Sequence, residues 1–322
     1  MRLAFPLSVT MKCRIWSITI ALICSLLSPF IVLGQKSLDE CSNAQDKPIV
    51  NMSFWEKKSA KFLTDITDKE LKISSDGKEL AVECLARKDE PVDVGILIDA
   101  SGSMGGKNLR METLIRGLKN LVEDSHPENT YFINQFGVKS TNILEETTDR
   151  SRIGRVLDSL MAASATGNTA IRDAVDQAIS RFRSADPRHR VLIVVSDGVD
   201  NVSKTDFDRL RLRVRTDSVQ IFRVDYTLVR PNPGDYYAGG NDPKAAPFDT
   251  IVGESGGLTY DSSKIQGVLD GFSLIAEHIR ARYQLVLKPA TGPKSKWHGL
   301  NVKFKKGRTD ANVVVVSSGF YY

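Results

Sequence analysis

Residues 92–98, Val-Asp-Val-Gly-Ile-Leu-Ile, form a nearly continuous apolar run that ends abruptly in a polar, glycine-rich stretch. Such a run is typical of a strand that is buried on both faces of a parallel sheet. A helical stretch follows, with apolar residues at 3.6-residue spacing from Met111 to Val122. Because parallel strands need crossover connections, usually helices, this order favours an α/β architecture.

The same alternation continues along the chain. The further predicted strands are Tyr131–Phe136, Asn142–Leu144, Val191–Val195 and Ile221–Tyr226, and the further amphipathic helices run over 171–182 and 265–279. Strands that alternate with helices predict a right-handed, doubly wound, mostly parallel sheet flanked by helices between residues 91 and 282.

The segments on either side of this region are predicted to be β-rich. In the N-terminal arm, residues 35–90, Asp76-Gly77 separates two short apolar runs and supplies the positive φ that a tight hairpin requires. Residues 283–322 contain three further short runs that are typical of strands. Neither segment is long enough to bury a core alone, so we expect them to pack together as a small β subdomain.

Residues 1–34 are predicted to be a signal peptide. Lys12 and Arg14 precede an apolar run from Ile15 to Leu33, and small or β-branched residues come before Gln35. An uncleaved membrane anchor is the alternative, since the run is nearly long enough to span a bilayer. Cleavage would leave a formal net charge of +2, which does not indicate nucleic-acid binding. We therefore expect a periplasmic or secreted protein.

Two of the four cysteines would remain after cleavage. Cys13 and Cys24 lie in the leader, whereas Cys41 and Cys84 belong to the mature chain. An oxidising compartment permits a disulfide bond between an even pair of cysteines. Cys41 and Cys84 are therefore a candidate disulfide.

Three polar motifs carry the strongest chemical signal. Asp99-x-Ser101-x-Ser103 directly follows a predicted buried strand, Thr169 opens a predicted helix, and Asp197 directly follows another buried strand. Because the carboxyl ends of parallel strands meet at one edge of a sheet, we expect these residues to lie around one crevice.

The residue types indicate a divalent metal. Carboxylate and hydroxyl oxygens are hard ligands, and a set without His or Cys suits Mg²⁺ or Ca²⁺, with Mn²⁺ as a further candidate, rather than zinc. At most two negative charges would oppose the dication. A carboxylate from another molecule could then complete the coordination shell.

Asp99, Ser101, Ser103, Thr169 and Asp197 match, position by position, the metal-ion-dependent adhesion site of the von Willebrand factor type A (VWA) domain, which residues 91–282 resemble. Within that superfamily the chain is most similar to the VWFA-related domain of exported acidobacterial proteins. That narrower likeness is carried by LKISSDGKEL, TGNTAIRDAV, VSDGVDN, ESGGLTY and SSGFYY. The segment from Lys294 to Lys306 departs from the expected pattern. The resemblance implies a magnesium-type, metal-dependent protein-binding module of the cell-adhesion kind.

Two alternatives to metal-dependent adhesion stay open at this point. The metal could be purely structural, or it could activate water for hydrolysis. The four histidines show no paired zinc spacing, and the chain contains no Gly-x-Ser-x-Gly or phosphate-loop motif. We therefore expect a protein that is not an enzyme, and whose unidentified protein partner supplies a carboxylate.

The irregular segment from Val229 to Pro247 is a candidate partner-binding loop. It contains Tyr236 and Tyr237 close to Gly234, Gly239 and Gly240. Exposed tyrosines are favoured interface anchors. Because the preceding strand is predicted to be parallel to Val92–Ile98, the loop should emerge beside Asp99 and Asp197. A mobile connector with tyrosines packed on the side of the domain is the alternative.

Overall fold

The structure is a computed structural model. It describes residues 47–56, 62–102, 108–160, 167–182, 189–225, 246–261, 265–288, 297–305, 311–315 and 319–321.

The helices and strands of the described residues have the following bounds. The strands are β1 Ile49–Glu56, β2 Leu71–Ser75, β3 Lys78–Glu79, β4 Val82–Lys88, β5 Val92–Asp99, β6 Thr130–Phe136, β7 Ser140–Thr147, β8 His189–Val195, β9 Val219–Asp225, β10 Thr259–Asp261, β11 Arg282–Leu287, β12 Trp297–Gly299, β13 Asn301–Phe304, β14 Ala311–Val315 and β15 Gly319–Tyr321. The helices are α1 Asn108–Asp124, α2 Arg150–Ser159, α3 Ile171–Ile179, α4 Phe207–Thr216, α5 Ala246–Glu254 and α6 Ile265–Arg280.

A six-stranded sheet in the order β10-β9-β8-β5-β6-β7 forms the centre of the α/β region. Every neighbouring pair is parallel except β6 and β7, which are antiparallel. The predicted mostly parallel α/β sheet is therefore confirmed, as is the parallel direction of β5, β8 and β9. All eight residues of β5 are buried, as its apolar sequence predicts.

Helices cover both faces of this sheet. One apolar core joins it to α1, α2 and α6, with Leu118, Leu157 and Phe272 among the fully buried side chains. The other core joins the opposite face to α3, α4 and α5. Because both faces are covered, ligands have access to the sheet mainly at its strand ends.

The terminal segments form further sheets that share an apolar core. One sheet has the order β14-β1-β11-β4, and a second has the order β13-β2-β3. Strands from before and after the α/β region pair directly, since β1 pairs with β11 and β14, and β2 pairs with β13. Met52, Phe54 and Tyr283 are fully buried in their shared core. The domain boundaries given above stay a prediction.

Several elements differ in extent from the sequence-based expectations. The hairpin turn does lie at Asp76-Gly77, where both residues have positive φ. The second strand of this hairpin, however, is only the two-residue β3, which pairs with β2. The residues that follow form β4, which pairs with β11 instead. The expected irregular segment that ends at Pro247 is shorter at that end, since α5 begins at Ala246. No helix in the described part of the chain is long and apolar enough to cross a membrane.

Candidate metal centre

Three loops meet at the carboxyl-terminal edge of the central sheet. The first follows β5 and carries Asp99 and Ser101, the second precedes α3 and carries Thr169, and the third follows β8 and carries Asp197. All four side chains are buried, with residue exposures of 4%, 1%, 3% and 9% in that order. The structure therefore places these residues at one edge, although nearly a hundred residues separate Asp99 from Asp197.

Hydrogen bonds join the three loops into a closed ring. The first and second loops are joined by Gly102 N, which donates to Gly167 O at 3.0 Å. The second and third are joined by Thr169 N, which donates to Asn201 Oδ1 at 2.9 Å, and by Asn201 N, which donates to Thr169 O at 3.1 Å. The third and first are joined by Ser196 Oγ, which donates to Asp99 Oδ2 at 2.6 Å.

Asp99 is the most constrained carboxylate of this ring. Its Oδ1 accepts a hydrogen bond from Ser101 N at 2.8 Å, while its Oδ2 is held by Ser196. Burial raises the pKa of Asp99, and the negative charge of Asp197 adds to this rise. Hydrogen bonds from Ser196 and Ser101 oppose the increase but do not cancel it. The Asp99 carboxylate thus lies where a cation would strongly favour its ionised form.

Asp197 is fixed by the turn that follows β8. Its Oδ1 accepts a hydrogen bond from Val199 N at 2.9 Å. Gly198 next to it has φ of 81°, a conformation that a side chain would strain. In the described part of the chain, no Lys, Arg or His forms an ion pair with Asp99 or Asp197. Their charges are therefore not balanced there by a basic side chain.

The remainder of the third loop is fastened to α3. Asp200 Oδ2 accepts from the backbone N and the Nε of Arg172, at 3.0 and 3.1 Å. Burial would raise the pKa of Asp200, but hydrogen bonds from Ser203 and Arg172 outweigh that effect and hold it below the usual value. Asp173 accepts from Lys204 N and Thr205 N in turn. These contacts fix the loop that carries Asp197.

The donor set fits a hard dication. Two carboxylate and two hydroxyl side chains are buried in loops at this edge, and the described residues contain no cluster of three or more His, Cys, Asp or Glu that could hold a metal. A metal at this edge would therefore depend on hydroxyl oxygens, which suits Mg²⁺, Ca²⁺ or Mn²⁺. That these residues ligate a metal stays a prediction.

Ser103, Tyr236 and Tyr237 lie outside the described residues. So does Cys41, whereas Cys84 is buried and disulfide-bonded. The pairing of Cys84 with Cys41 stays a prediction.

Sequence reasoning missed the residues that hold the ring together. Ser196 and Asn201 bond directly to Asp99 and Thr169. Ser196 was visible only as the residue before Asp197, and nothing in the sequence relates Asn201 to Thr169. The backbone at the end of β6 also supports the ring, since Phe136 O accepts from Ala100 N and Gly137 O accepts from Ala170 N.

Comparison with known protein families agrees with this architecture. Residues 94–199 match the family model of the von Willebrand factor type A domain. This part of the chain is a VWA domain. The matched residues extend from β5 to the loop after β8, and they include Asp99, Ser101, Thr169 and Asp197. No curated protein matches the chain.

Several solved structures are similar to this chain. A von Willebrand factor type A protein from Catenulispora acidiphila is 11% identical, with a TM-score of 0.49 over 84% of this chain and 74% of that chain. The manganese-loaded TRAP protein of Plasmodium vivax is 15% identical, with a TM-score of 0.40 over 76% and 97%. Proximal thread matrix protein 1 of the mussel byssus, with a zinc-occupied MIDAS motif, is 17% identical, with a TM-score of 0.45 over 64% and 49%.

Proposed function

We propose that this protein is an exported, non-enzymatic binding module that captures an acidic group of a partner protein through a divalent cation of the Mg²⁺ type. One observation carries the proposal: two buried carboxylates, Asp99 and Asp197, lie beside hydroxyl side chains at one sheet edge, without a basic side chain of the described residues to balance them. Asp99, Ser101, Ser103, Thr169 and Asp197 are the proposed ligands.

The cation would supply the positive charge to which a partner's carboxylate binds. Asp99 and Asp197 would neutralise at most two charges, while the hydroxyls of Ser101, Ser103 and Thr169 contribute oxygen atoms without charge. The ring of hydrogen bonds fixes the loops that carry Asp99, Ser101, Thr169 and Asp197 before a partner arrives, which lowers the entropic cost of binding. Because the loops are already joined to one another by the protein's own hydrogen bonds, a purely structural role of the metal is less well supported.

Exposed apolar side chains beside Thr169 suit a protein partner. Val138 and Val202 are 59% and 37% exposed. Val138 follows Gly137, whose carbonyl bonds to Ala170 N, and Val202 N donates to Thr169 O. An acidic side chain flanked by apolar ones would match this surface.

The positions of the histidines give no support to a hydrolase. His189 is the first residue of β8, at the strand end opposite to Asp197, and His278 bonds to Gln220 near the start of β9. His126 bonds to Glu128 N before β6, and His298 pairs with Asp76 in the terminal β region. No histidine is therefore placed to act as a general base at the metal edge.

Mg²⁺ titration of the wild type and of Asp99→Ala tests the metal site. We expect Mg²⁺ to raise the melting temperature of the wild type, because a ligand that binds only the folded state shifts the unfolding equilibrium. Asp99→Ala should melt at the same temperature with and without Mg²⁺. Asp158→Ala, which changes an exposed aspartate of α2, should respond as the wild type does. An unchanged response in Asp99→Ala would remove the proposed ligand set.

Partner capture from a cell-envelope extract, with Mg²⁺ and again with EDTA, tests the binding role. Loss of capture in EDTA with an unchanged circular dichroism spectrum supports adhesion, whereas loss of the folded-state signal from that spectrum supports a structural metal.

The double variant Tyr236→Ala, Tyr237→Ala should keep the rise in melting temperature with Mg²⁺ and lose binding of the partner. N-terminal sequencing of the exported protein, expected to begin at Gln35, tests the localisation.

A further inference from the structure

Arg223 is a fully buried cation close to the sheet edge that carries the proposed metal site. It lies on β9, and its side chain is 0% exposed. Its Nε and Nη2 donate to Asp249 Oδ1 and Oδ2, at 2.8 and 3.0 Å, which makes a two-bond pair with that carboxylate of α5. Its Nη1 donates to Asp225 Oδ2 at 3.1 Å. Such paired geometry holds a guanidinium in one orientation.

The same guanidinium reaches the third loop of the site. Arg223 Nη1 also donates to the backbone carbonyl of Ser196 at 3.1 Å. Ser196 Oγ then donates to Asp99 Oδ2 at 2.6 Å and accepts from Gly198 N at 3.1 Å. One residue, Ser196, is thus held by Arg223 on its backbone and holds Asp99 with its side chain. It also directly precedes Asp197.

The outer end of this chain of contacts lies at the border of the sheet. Thr259 Oγ1, on β10, donates to Asp249 Oδ1 at 2.7 Å. Asp249 is therefore fixed by both Arg223 and Thr259. A continuous series of hydrogen bonds leads from β10 through Asp249, Arg223 and Ser196 to Asp99, and none of these outer residues belongs to the proposed ligand set.

We propose that the Arg223–Asp249 pair is a positioning element for the metal site, which sets the orientation of the Ser196–Asp197 peptide and thereby the affinity for the dication. This inference rests on the proposed function. Groups that orient metal ligands by hydrogen bonding typically change metal affinity by 10- to 100-fold when they are removed. Arg223 and Asp249 act through Ser196 and do not contact the metal.

The competing explanation is that the pair only fastens α5 to the sheet. The chain offers a matched control for this, because α5 carries a second carboxylate that pairs with an arginine. Glu254 bonds through both of its oxygens to Arg211 of α4, and it also pairs with Arg215. These contacts fasten α5 to α4 and have no bond to Ser196. Glu254→Gln therefore weakens the attachment of α5 without touching the path to Asp99.

Isothermal titration with Mg²⁺ at pH 7.5, together with urea unfolding of each variant, separates the two explanations. We expect Asp249→Asn to weaken Mg²⁺ binding about tenfold and Ser196→Ala to weaken it 10- to 100-fold. Glu254→Gln should stay within about twofold of the wild type, even though it unfolds at lower urea. The double variant Ser196→Ala, Asp249→Asn should lose less binding free energy than the sum of the two single losses, because both changes act through Ser196.

If Asp249→Asn does not fold, Arg223→Lys decides the question, since it keeps the buried positive charge and loses the two-bond pair with Asp249. An affinity within twofold of the wild type in the folded variant overturns the positioning role, and so does equal weakening in Glu254→Gln. A wild type that binds none of Mg²⁺, Mn²⁺ and Ca²⁺ overturns the proposed function as well. The wild-type titration thus distinguishes the two failures.

Discussion

His278 Nε2 lies 2.5 Å from Ser53 Oγ, so that a helix of the α/β region and a strand of the terminal β region share a buried hydrogen bond. His278 Nε2 is also 3.3 Å from Gln220 Nε2, and Gln220 Oε1 is 2.9 Å from His189 Nε2. Four polar side chains thus form one buried network. Phe62 and Phe222 pack edge-on against the ring of His278.

Both histidines of this network are held neutral. Burial lowers the pKa of His278 to about 3. Burial also lowers the pKa of His189 to about 3, and the positive charges of Arg282 and Arg190 add to the effect, while the hydrogen bond to Gln220 opposes it. Protonation of either ring would place a cation in an interior that already contains the buried Arg282.

We predict that the free energy of unfolding falls as the pH is lowered from 7 to 5. The unfolded histidines titrate near 6.5, so in this window the unfolded chain binds protons that the folded chain does not. The loss should be about 2 kcal/mol for each histidine and about 4 kcal/mol for both. Urea unfolding at the two pH values measures it.

His189→Gln provides the control for this prediction. The variant should lose about half of the pH dependence, whatever its stability at pH 7. If the stability of His189→Gln depended on pH as strongly as that of the wild type, buried His189 would not contribute to the loss of stability at low pH.

The main features of the central sheet were predictable because they are local. The apolar sequence of β5 requires burial on both faces, and Asp76-Gly77 requires a turn with positive φ. The edge at which Asp99 and Asp197 meet follows from parallel strand direction alone. These inferences need only neighbours in sequence and one topological rule.

The contacts that tune the site could not be predicted. Ser196 and Asp99 are 97 residues apart, and the sequence does not show which hydroxyl donates to that carboxylate. Arg223 lies in an otherwise apolar strand, where its carboxylate partners are known only once α5 packs on the sheet. Such pairings depend on tertiary packing, which local sequence patterns do not encode.

Gly257 is expected to tolerate no side chain. A Cβ placed there would overlap the backbone carbonyl of Ile221 on β9, and a backbone group cannot rotate away as a side chain can. We predict that Gly257→Ala lowers the free energy of unfolding by about 3 kcal/mol or more. Gly253 of α5 is the matched control, since a Cβ there meets no atom within 4 Å. Gly253→Ala should raise the free energy of unfolding by up to about 1 kcal/mol. Equal melting temperatures for the two variants would show that a Cβ at position 257 does not clash with Ile221.

Cys84 is predicted to be bonded to Cys41 in the mature chain. Thiol counting on denatured, unreduced protein should find no free thiol in the wild type and one in Cys41→Ser. The closed loop of about 43 residues corresponds to about 4 kcal/mol in the chain-entropy model, so Cys41→Ser should melt at a lower temperature. If no free thiol is found in Cys41→Ser, Cys84 is bonded to a partner other than Cys41.

Asn201 is predicted to control metal binding from outside the ligand set. Its Oδ1 is the acceptor for Thr169 N, and Thr169 is buried. Asn201→Ala leaves that donor without its partner, at a cost of about 1 to 3 kcal/mol, and frees the loop that positions the Thr169 hydroxyl. We expect Mg²⁺ affinity to fall about tenfold, as measured by calorimetry.

Two further variants serve as controls for the Thr169–Asn201 contact. Asn201→Asp keeps the acceptor oxygen and should restore part of the affinity. Asn168→Ala, at an exposed position of the same loop, should bind as the wild type does. Equal affinities for Asn201→Ala and Asn168→Ala would show that the Thr169–Asn201 contact has no role in the site.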